Sequence, residues 1–161
     1  MKSIAFLTIL FLAQLSTGYS AQWSLPAWGI SKGDVKNLYP TATPFMMPDG
    51  KPDEDHLVVS GITIDSQPFK ASFKFANSTQ RLTSIWLHSE GAVPDTIFVG
   101  ILLDRLTAKY GSSVKDVSAD GKLDLMWRPD KTAVTLYYSP TSTRLAPLNI
   151  SYSEIAGIDG I

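Results

Sequence analysis

The chain contains no cysteine among its 161 residues. Without thiols it can form no disulfide, no thiolate metal site and no cysteine nucleophile, so packing alone must hold the fold together. Histidine is also scarce, because only His56 and His88 are present. Any imidazole chemistry, whether acid–base catalysis or metal binding, is therefore confined to two positions.

An excess of charge of either sign is lacking as well. The sequence has 14 Lys and Arg against 15 Asp and Glu, a net charge of −1, and no basic tract. Nucleic acid is therefore not an expected partner. There is no phosphate-binding glycine loop, no G-x-S-x-G elbow and no H-E-x-x-H motif. We expect no cofactor, and the sequence leans against an enzyme.

Long apolar runs are absent except at the start of the chain. Lys2 precedes an apolar stretch over residues 4–15, and Gly18 and Ser20 are the small residues that signal peptidase requires. The run is shorter than the ~20 residues of a membrane span. We expect residues 1–20 to be a signal peptide that is cleaved before Ala21. The alternative is an uncleaved membrane anchor.

Removal of that segment leaves the length of one ordinary domain. We expect a single domain over residues 21–155, a frayed tail over residues 156–161 and no membrane span after cleavage. The missing cysteine also excludes a bacterial lipid anchor at the cleavage site. The expected location is the periplasm or the exterior of a bacterial cell.

The strongest positive signal is a helix over residues 95–110. Asp95 can cap its first turn, and Gly111 can take the left-handed conformation that ends it. Apolar residues recur at helical spacing of three and four: Phe98, Ile101, Leu102, Leu106 and Tyr110. The apolar surface is wide, so we expect this helix to be buried on more than one side and packed against a sheet.

A shorter helix is expected over residues 32–38, with Ser31 as its N-cap. The following residues 41–55 are rich in Pro, Gly and Asp, which predicts a loop. At least one of Phe45, Met46 and Met47 in that loop is expected to reach the core.

Strand patterns surround the longer helix. Phe69, Ala71, Phe73 and Phe75 alternate with polar residues, which is typical of a half-buried antiparallel strand. The predicted strands are residues 56–64, 67–76, 82–90, 123–128, 133–139 and 145–155. The fold class is therefore α+β, a mainly antiparallel sheet of about six strands with two helices. A helix followed by three strands occurs twice, either as an αβββ pseudo-repeat or as an accidental order in a simple meander.

Residues 28–38, W-G-I-S-K-G-D-V-K-N-L, resemble the helix openings of small exported bacterial modules. They are similar to β-lactamase-inhibitor-protein-like domains and to outer-membrane assembly lipoproteins of the BamE/SmpA type. The resemblance implies a helix-on-sheet module that binds other proteins in the cell envelope. The resemblance does not assign a functional role to any residue of this chain.

An acidic stretch after the long helix partly follows the pattern of a calcium loop. Its first, third, fifth, sixth and ninth positions are occupied by Asp116, Ser118, Asp120, Gly121 and Asp124. The twelfth position, which should be a bidentate Glu, is Trp127. We therefore expect Asp120-Gly121 to be a hairpin turn and expect no metal site.

The candidate binding residues are Trp86, His88 and Tyr137. Ile85 and Leu87 suit the side of the strand that faces the helix, so Trp86 and His88 would project from the opposite face. Tyr137 from the later strands would join them in a partner-binding patch. In the alternative arrangement Trp86 points into the core, or residues 41–55 cover the face.

We therefore expect a non-enzymatic exported binding module whose partner is another envelope or extracellular protein. A small-molecule carrier with an apolar cavity on the sheet is one alternative. The other is a small hydrolase that uses His88, with Glu90 two residues away on the same face of the strand.

Overall fold

The computed structural model describes residues 25–142 and 146–155. The expected signal peptide and the expected C-terminal tail lie outside these ranges. Within them, two helices and one antiparallel sheet form the expected α+β fold. The sheet has eight strands, whereas about six were expected. No helix in the described part is long and apolar enough to cross a membrane.

Among the described residues, the first element is a helix and the last is a strand. In order, the elements are α1 Lys32–Leu38, β1 Thr43–Met46, β2 Pro52–Ile64, β3 Gln67–Phe75, β4 Leu82–Ser89, α2 Thr96–Tyr110, β5 Lys115–Asp116, β6 Leu123–Trp127, β7 Thr132–Tyr138 and β8 Leu148–Glu154. Both helices agree with the predicted ones to within a residue. Each half of the chain is a helix followed by four strands, one more than expected.

The sheet has the strand order β1-β2-β3-β4-β8-β7-β6-β5. Each half is therefore a meander, and the two meanders meet where β4 pairs with β8 in antiparallel register. The two strands that the sequence did not predict, β1 and β5, occupy the outer edges. They are only four and two residues long.

The prediction of a loop over residues 41–55 is wrong, because β1 and the start of β2 fall within it. Its prolines are compatible with a sheet where they stand. Pro44 lies on an edge strand beside a register shift, and Pro52 is the first residue of β2. Met46 and Met47 are exposed. Phe45 is half-buried, but it packs on His56 and does not enter the main core.

Both helices begin with the predicted cap. The Ser31 hydroxyl accepts a hydrogen bond from the Asp34 amide, and the Asp34 carboxylate accepts one from the Ser31 amide at 2.9 Å. The Ser31 hydroxyl also donates to the Asp34 carboxylate at 2.7 Å. This bond first, and the bond from the Ser31 amide second, lower the pKa of the Asp34 carboxyl. In α2 the Asp95 carboxylate accepts from the Phe98 amide at 2.7 Å, and Gly111 ends the helix at φ +81°.

The core lies between the two helices and one face of the sheet. Helix α2 contributes Val99, Leu102 and Leu106, and α1 contributes Val35. Two hydrogen bonds fix both ends of α2 to the second half of the sheet. The Tyr138 hydroxyl donates to the Pro94 carbonyl at 3.1 Å, and the Trp127 indole donates to the Gly111 carbonyl at 3.0 Å.

The expectation that α2 is buried on more than one side is wrong. Ile97 is 73% exposed and Ile101 is 45% exposed. Only the stripe that contacts the sheet is buried, because the sheet is the single layer against which α2 packs. Ile97 and Ile101 widen the apolar stripe, but both remain exposed.

Candidate functional site

One face of the sheet carries neither helix. We call it the open face, and strand register arranges it in three rows. The first row is Val58, Ser72, Trp86, Ser151, Thr135 and Met126. The second is Lys70, His88, Asn149, Tyr137 and Asp124. The third is His56, Lys74, Ser84, Ser153 and Ala133.

Trp86 lies near the middle of the open face. Its neighbours Ile85 and Leu87 are fully buried in the core, so the alternation of β4 places the indole on the opposite side, where it is partly exposed. Its register partner Ser72 is only 5% exposed, because larger side chains on both neighbouring strands cover this small residue. The alternative in which Trp86 points into the core does not match this alternation.

Three rings form a row from the edge of the sheet to its centre. The ring of Phe45 stacks on that of His56 with centroids 4.7 Å apart and an interplanar angle of 23°. The His56 ring meets the Trp86 indole edge-on at 6.2 Å. We call Phe45, His56 and Trp86 the aromatic row. It crosses β3 diagonally, because His56 lies opposite Lys74 and Trp86 lies opposite Ser72.

His56 is the middle ring of this row, and its environment disfavours protonation of the imidazole. Burial is the main cause that lowers the pKa of its imidazole. Lys74, His88 and Lys70 lower that pKa further, while the carboxylate of Asp53, 3.9 Å from Nδ1, opposes them. The buried Nε2 atom has no hydrogen-bond partner among the described residues. The neutral imidazole is thus the form that the fold favours.

His88 is held by a neighbour on β8. Its Nδ1 lies 2.5 Å from Oδ1 of Asn149, whose Nδ2 donates to the Ala146 carbonyl at 2.7 Å. That second bond sets the orientation of the amide, so Oδ1 is the acceptor and Nδ1 of His88 carries the proton. The neutral ring then presents Nε2 as an acceptor. This partner is a neutral amide, not the carboxylate of a catalytic dyad.

Tyr137 lies on the same face, in the same row as His88. Asn149 on β8 stands between them. Two strand spacings separate His88 from Tyr137, which is about 10 Å. The three predicted binding residues therefore share one face: Trp86 and His88 are neighbours along β4, and Tyr137 lies two strands away.

The charges on the open face are unevenly placed. At the β6 end, the carboxylate of Asp124 pairs with Lys115 at 2.6 Å. Around Trp86, Lys70 and Lys74 form no ion pair with any described residue. Near the aromatic row, Lys70 and Lys74 therefore stand without an ion-pair partner among the described residues, while the Asp53 carboxylate lies beside His56. At the β6 end the two charges are paired within the chain.

Sequence reasoning missed four of these side chains, namely Phe45, His56, Lys70 and Asn149. Alternation along β3 already placed the lysine on the face opposite the phenylalanines, which was a usable signal. The others depend on strand pairing. Phe45, His56 and Trp86 come together only because β1, β2 and β4 take their particular order in the sheet.

The acidic stretch after α2 forms the predicted hairpin turn. Asp120 and Gly121 both have positive φ, +52° and +73°, which is the conformation of a two-residue hairpin loop. Asp124 is occupied by its pair with Lys115. Among the described residues, no group of three or more His, Asp or Glu side chains is placed to hold a metal ion.

Neither a protein-family model nor a curated protein matches the chain. Among solved structures, it is similar to that of a DUF4309 family protein, YjgB, from Bacillus subtilis. The sequence identity is 10%, the TM-score is 0.44, and the match covers 77% of this chain and 78% of that one. A likeness this distant carries no argument about function.

Proposed function

We propose that this protein is an exported, non-enzymatic binding module that holds another protein against the open face. Trp86, His88 and Tyr137 would contact that partner. The observation that supports the proposal best is the aromatic row, which ends at the partly exposed Trp86 on a sheet face without a helix. The solvent side of an antiparallel sheet is normally polar. Aromatic side chains there are typical of an interaction surface.

The shape of the surface favours a protein over a small ligand. The three rows extend across most of the sheet, and a stable protein contact needs about 800 Å² from each partner. Trp and Tyr are the residues that most often dominate such contacts. The resemblance of residues 28–38 to envelope modules points to the same class of partner. An envelope or extracellular protein is the expected one.

Replacement of Trp86 tests the proposal. We expect Trp86→Ala to weaken partner binding by at least about 2 kcal/mol, or roughly 30-fold, while the urea midpoint stays close to that of wild type. The assay is capture of partners from envelope extract, followed by titration of the captured protein. Ile97→Ala serves as the control, because Ile97 is exposed on α2 on the other side of the sheet.

Two outcomes would contradict the proposal. If Trp86→Ala unfolds the protein, the indole is a structural residue. If the variant captures the same partner with unchanged affinity, the open face is not the contact surface.

Export has its own test. We expect the exported protein to begin at Ala21, as measured by N-terminal sequencing or intact mass. Exported protein that still begins at Met1 would refute the expected signal peptide and leave the binding proposal standing.

A further inference from the structure

Trp86 stands between two pairs of basic side chains. On one side of it, Lys70 and His88 are direct cross-strand partners on β3 and β4. On the other side, His56 and Lys74 are direct cross-strand partners on β2 and β3. The two pairs lie in the two rows that flank the row of Trp86. The indole thus has a potential cation on each side along the strand direction.

The cross-strand partners of the two lysines do not balance their charge. Each lysine faces an imidazole and not a carboxylate. Neither lysine forms an ion pair with a carboxylate of the described residues. The whole chain has a net charge of −1, so these two lysines are a local feature of a nearly neutral chain.

We propose that the partner presents an acidic segment to the open face, with an apolar side chain on Trp86 and one carboxylate beside each of Lys70 and Lys74. This inference rests on the proposed function, because it describes the partner of the same surface. A partner that covered the two lysines without supplying carboxylates would bury unpaired charges, which costs more than it returns. Carboxylates convert that cost into ion pairs and select against basic partners.

The geometry also gives the spacing of the acidic groups. Lys70 and Lys74 are four residues apart on β3, which is about 13 Å along an extended strand. An extended segment lying along β3 and β4 meets both lysines with side chains four positions apart. The apolar residue between them, two positions from each, then lies at the level of Ser72 and Trp86. The expected pattern is acidic, any, apolar, any, acidic.

A random seven-residue peptide library displayed on phage tests this pattern without prior choice of a ligand. The library is selected on the folded wild-type protein and in parallel on Trp86→Ala and on the double variant Lys70→Gln/Lys74→Gln. The control is Lys36→Gln/Lys109→Gln, which removes the same charge from exposed positions on the two helices. Circular dichroism establishes that all four proteins are folded before selection.

We expect peptides that depend on Trp86 to be enriched in Asp and Glu at positions four apart. A synthetic copy of the best peptide should bind the Lys70→Gln/Lys74→Gln protein about tenfold more weakly, the scale of two partly exposed ion pairs. The control double variant should bind as wild type does. Raising the salt to about 0.5 M should weaken wild-type binding and leave the Lys70→Gln/Lys74→Gln protein nearly unaffected.

Failure can be assigned to one proposal or the other. Peptides that require Trp86 but show no acidic bias would overturn this inference and leave the proposed binding face intact. The same holds for an acidic bias that survives in the Lys70→Gln/Lys74→Gln protein. If no enriched peptide depends on Trp86, both this inference and the proposed function are wrong.

Discussion

His56 makes the stability of the protein depend on pH. Its pKa in the fold is lowered from the ordinary 6.5, mainly by burial, so the unfolded chain takes up a proton at higher pH than the folded chain does. Stability from the neutral ring is therefore present above about pH 6.5 and is lost as the pH falls toward the lower folded pKa. The added proton would also place a second N–H on the buried Nε2, which has no acceptor among the described residues.

We expect the urea midpoint of wild type to fall between about pH 7.5 and 5.5, and to fall less in His56→Gln, because only the wild type has to bury an imidazolium. Denaturation curves of both proteins at several pH values in this range provide the comparison. Equal pH dependence of the two proteins would show that His56 is not the group responsible.

Replacement by Ala is expected to have opposite effects on stability at Gly111, which ends α2, and at Gly100, which lies within it. Gly111 has φ +81° and ψ −161°, a conformation that costs a residue with a Cβ about 1–3 kcal/mol, although no atom lies within 4 Å of the added methyl group. We expect Gly111→Ala to destabilise the fold by that amount. Gly100 lies inside the helix, also with open space around it, so Gly100→Ala should stabilise by about 0.5–1 kcal/mol.

Urea titration of the two variants decides between conformational strain and simple helix propensity. Stabilisation by Gly111→Ala would contradict the positive φ of Gly111 at the end of α2. Destabilisation by Gly100→Ala would mean that the helix packs more closely at that point than the structure shows.

At the scale of the element, α2 has one buried stripe and one exposed stripe. Leu106 is 6% exposed, and Leu106→Ala is expected to cost about 2–5 kcal/mol, because the emptied site remains as a cavity between helix and sheet. Ile97→Ala is the matched control in the same helix. Since Ile97 is 73% exposed, its truncation should change the free energy of unfolding by less than about 0.5 kcal/mol.

Denaturant unfolding of the two variants provides the measurement. A large loss of stability in Ile97→Ala would place α2 against a second layer. No loss in Leu106→Ala would mean that α2 does not pack on the sheet through this stripe.

Strong periodic patterns made most elements predictable. The capped helices and the alternation of β3 were visible in the sequence. The edge strands β1 and β5 were not. With four and two residues they are too short to show a period of two, and their positions come from pairing with β2 and β6. Tertiary contacts, not local propensity, produce them.

The candidate site was predictable to the same extent. Alternation along β4 predicted that Trp86 and His88 share one face and that Ile85 and Leu87 share the other. It left open which of the two faces belongs to the core. The aromatic row and the bond between His88 and Asn149 required the order of strands, which no local pattern contains. Contacts between residues on different strands cannot be predicted from local sequence patterns alone.

At the scale of the whole molecule, one core joins both halves. Leu57 on β2 and Leu136 on β7 are fully buried members of the same cluster. We expect urea unfolding to be a single transition, with tryptophan fluorescence and far-UV circular dichroism superimposed. Leu57→Ala and Leu136→Ala should each shift the whole curve. Two separate transitions, each sensitive to one of the substitutions, would instead show that the halves fold independently.

The strand order also has a consequence for the timing of folding. The central pair joins β4 to β8, the last strand among the described residues. While the polypeptide is being made, the first meander has an unpaired inner edge until residues 148–154 have been synthesised. The sheet can close only after β8 has been made, and β4 and β7 then gain their shared neighbour together. A ribosome-bound chain stalled before β8 should therefore remain sensitive to protease, while the same chain released with β8 becomes resistant.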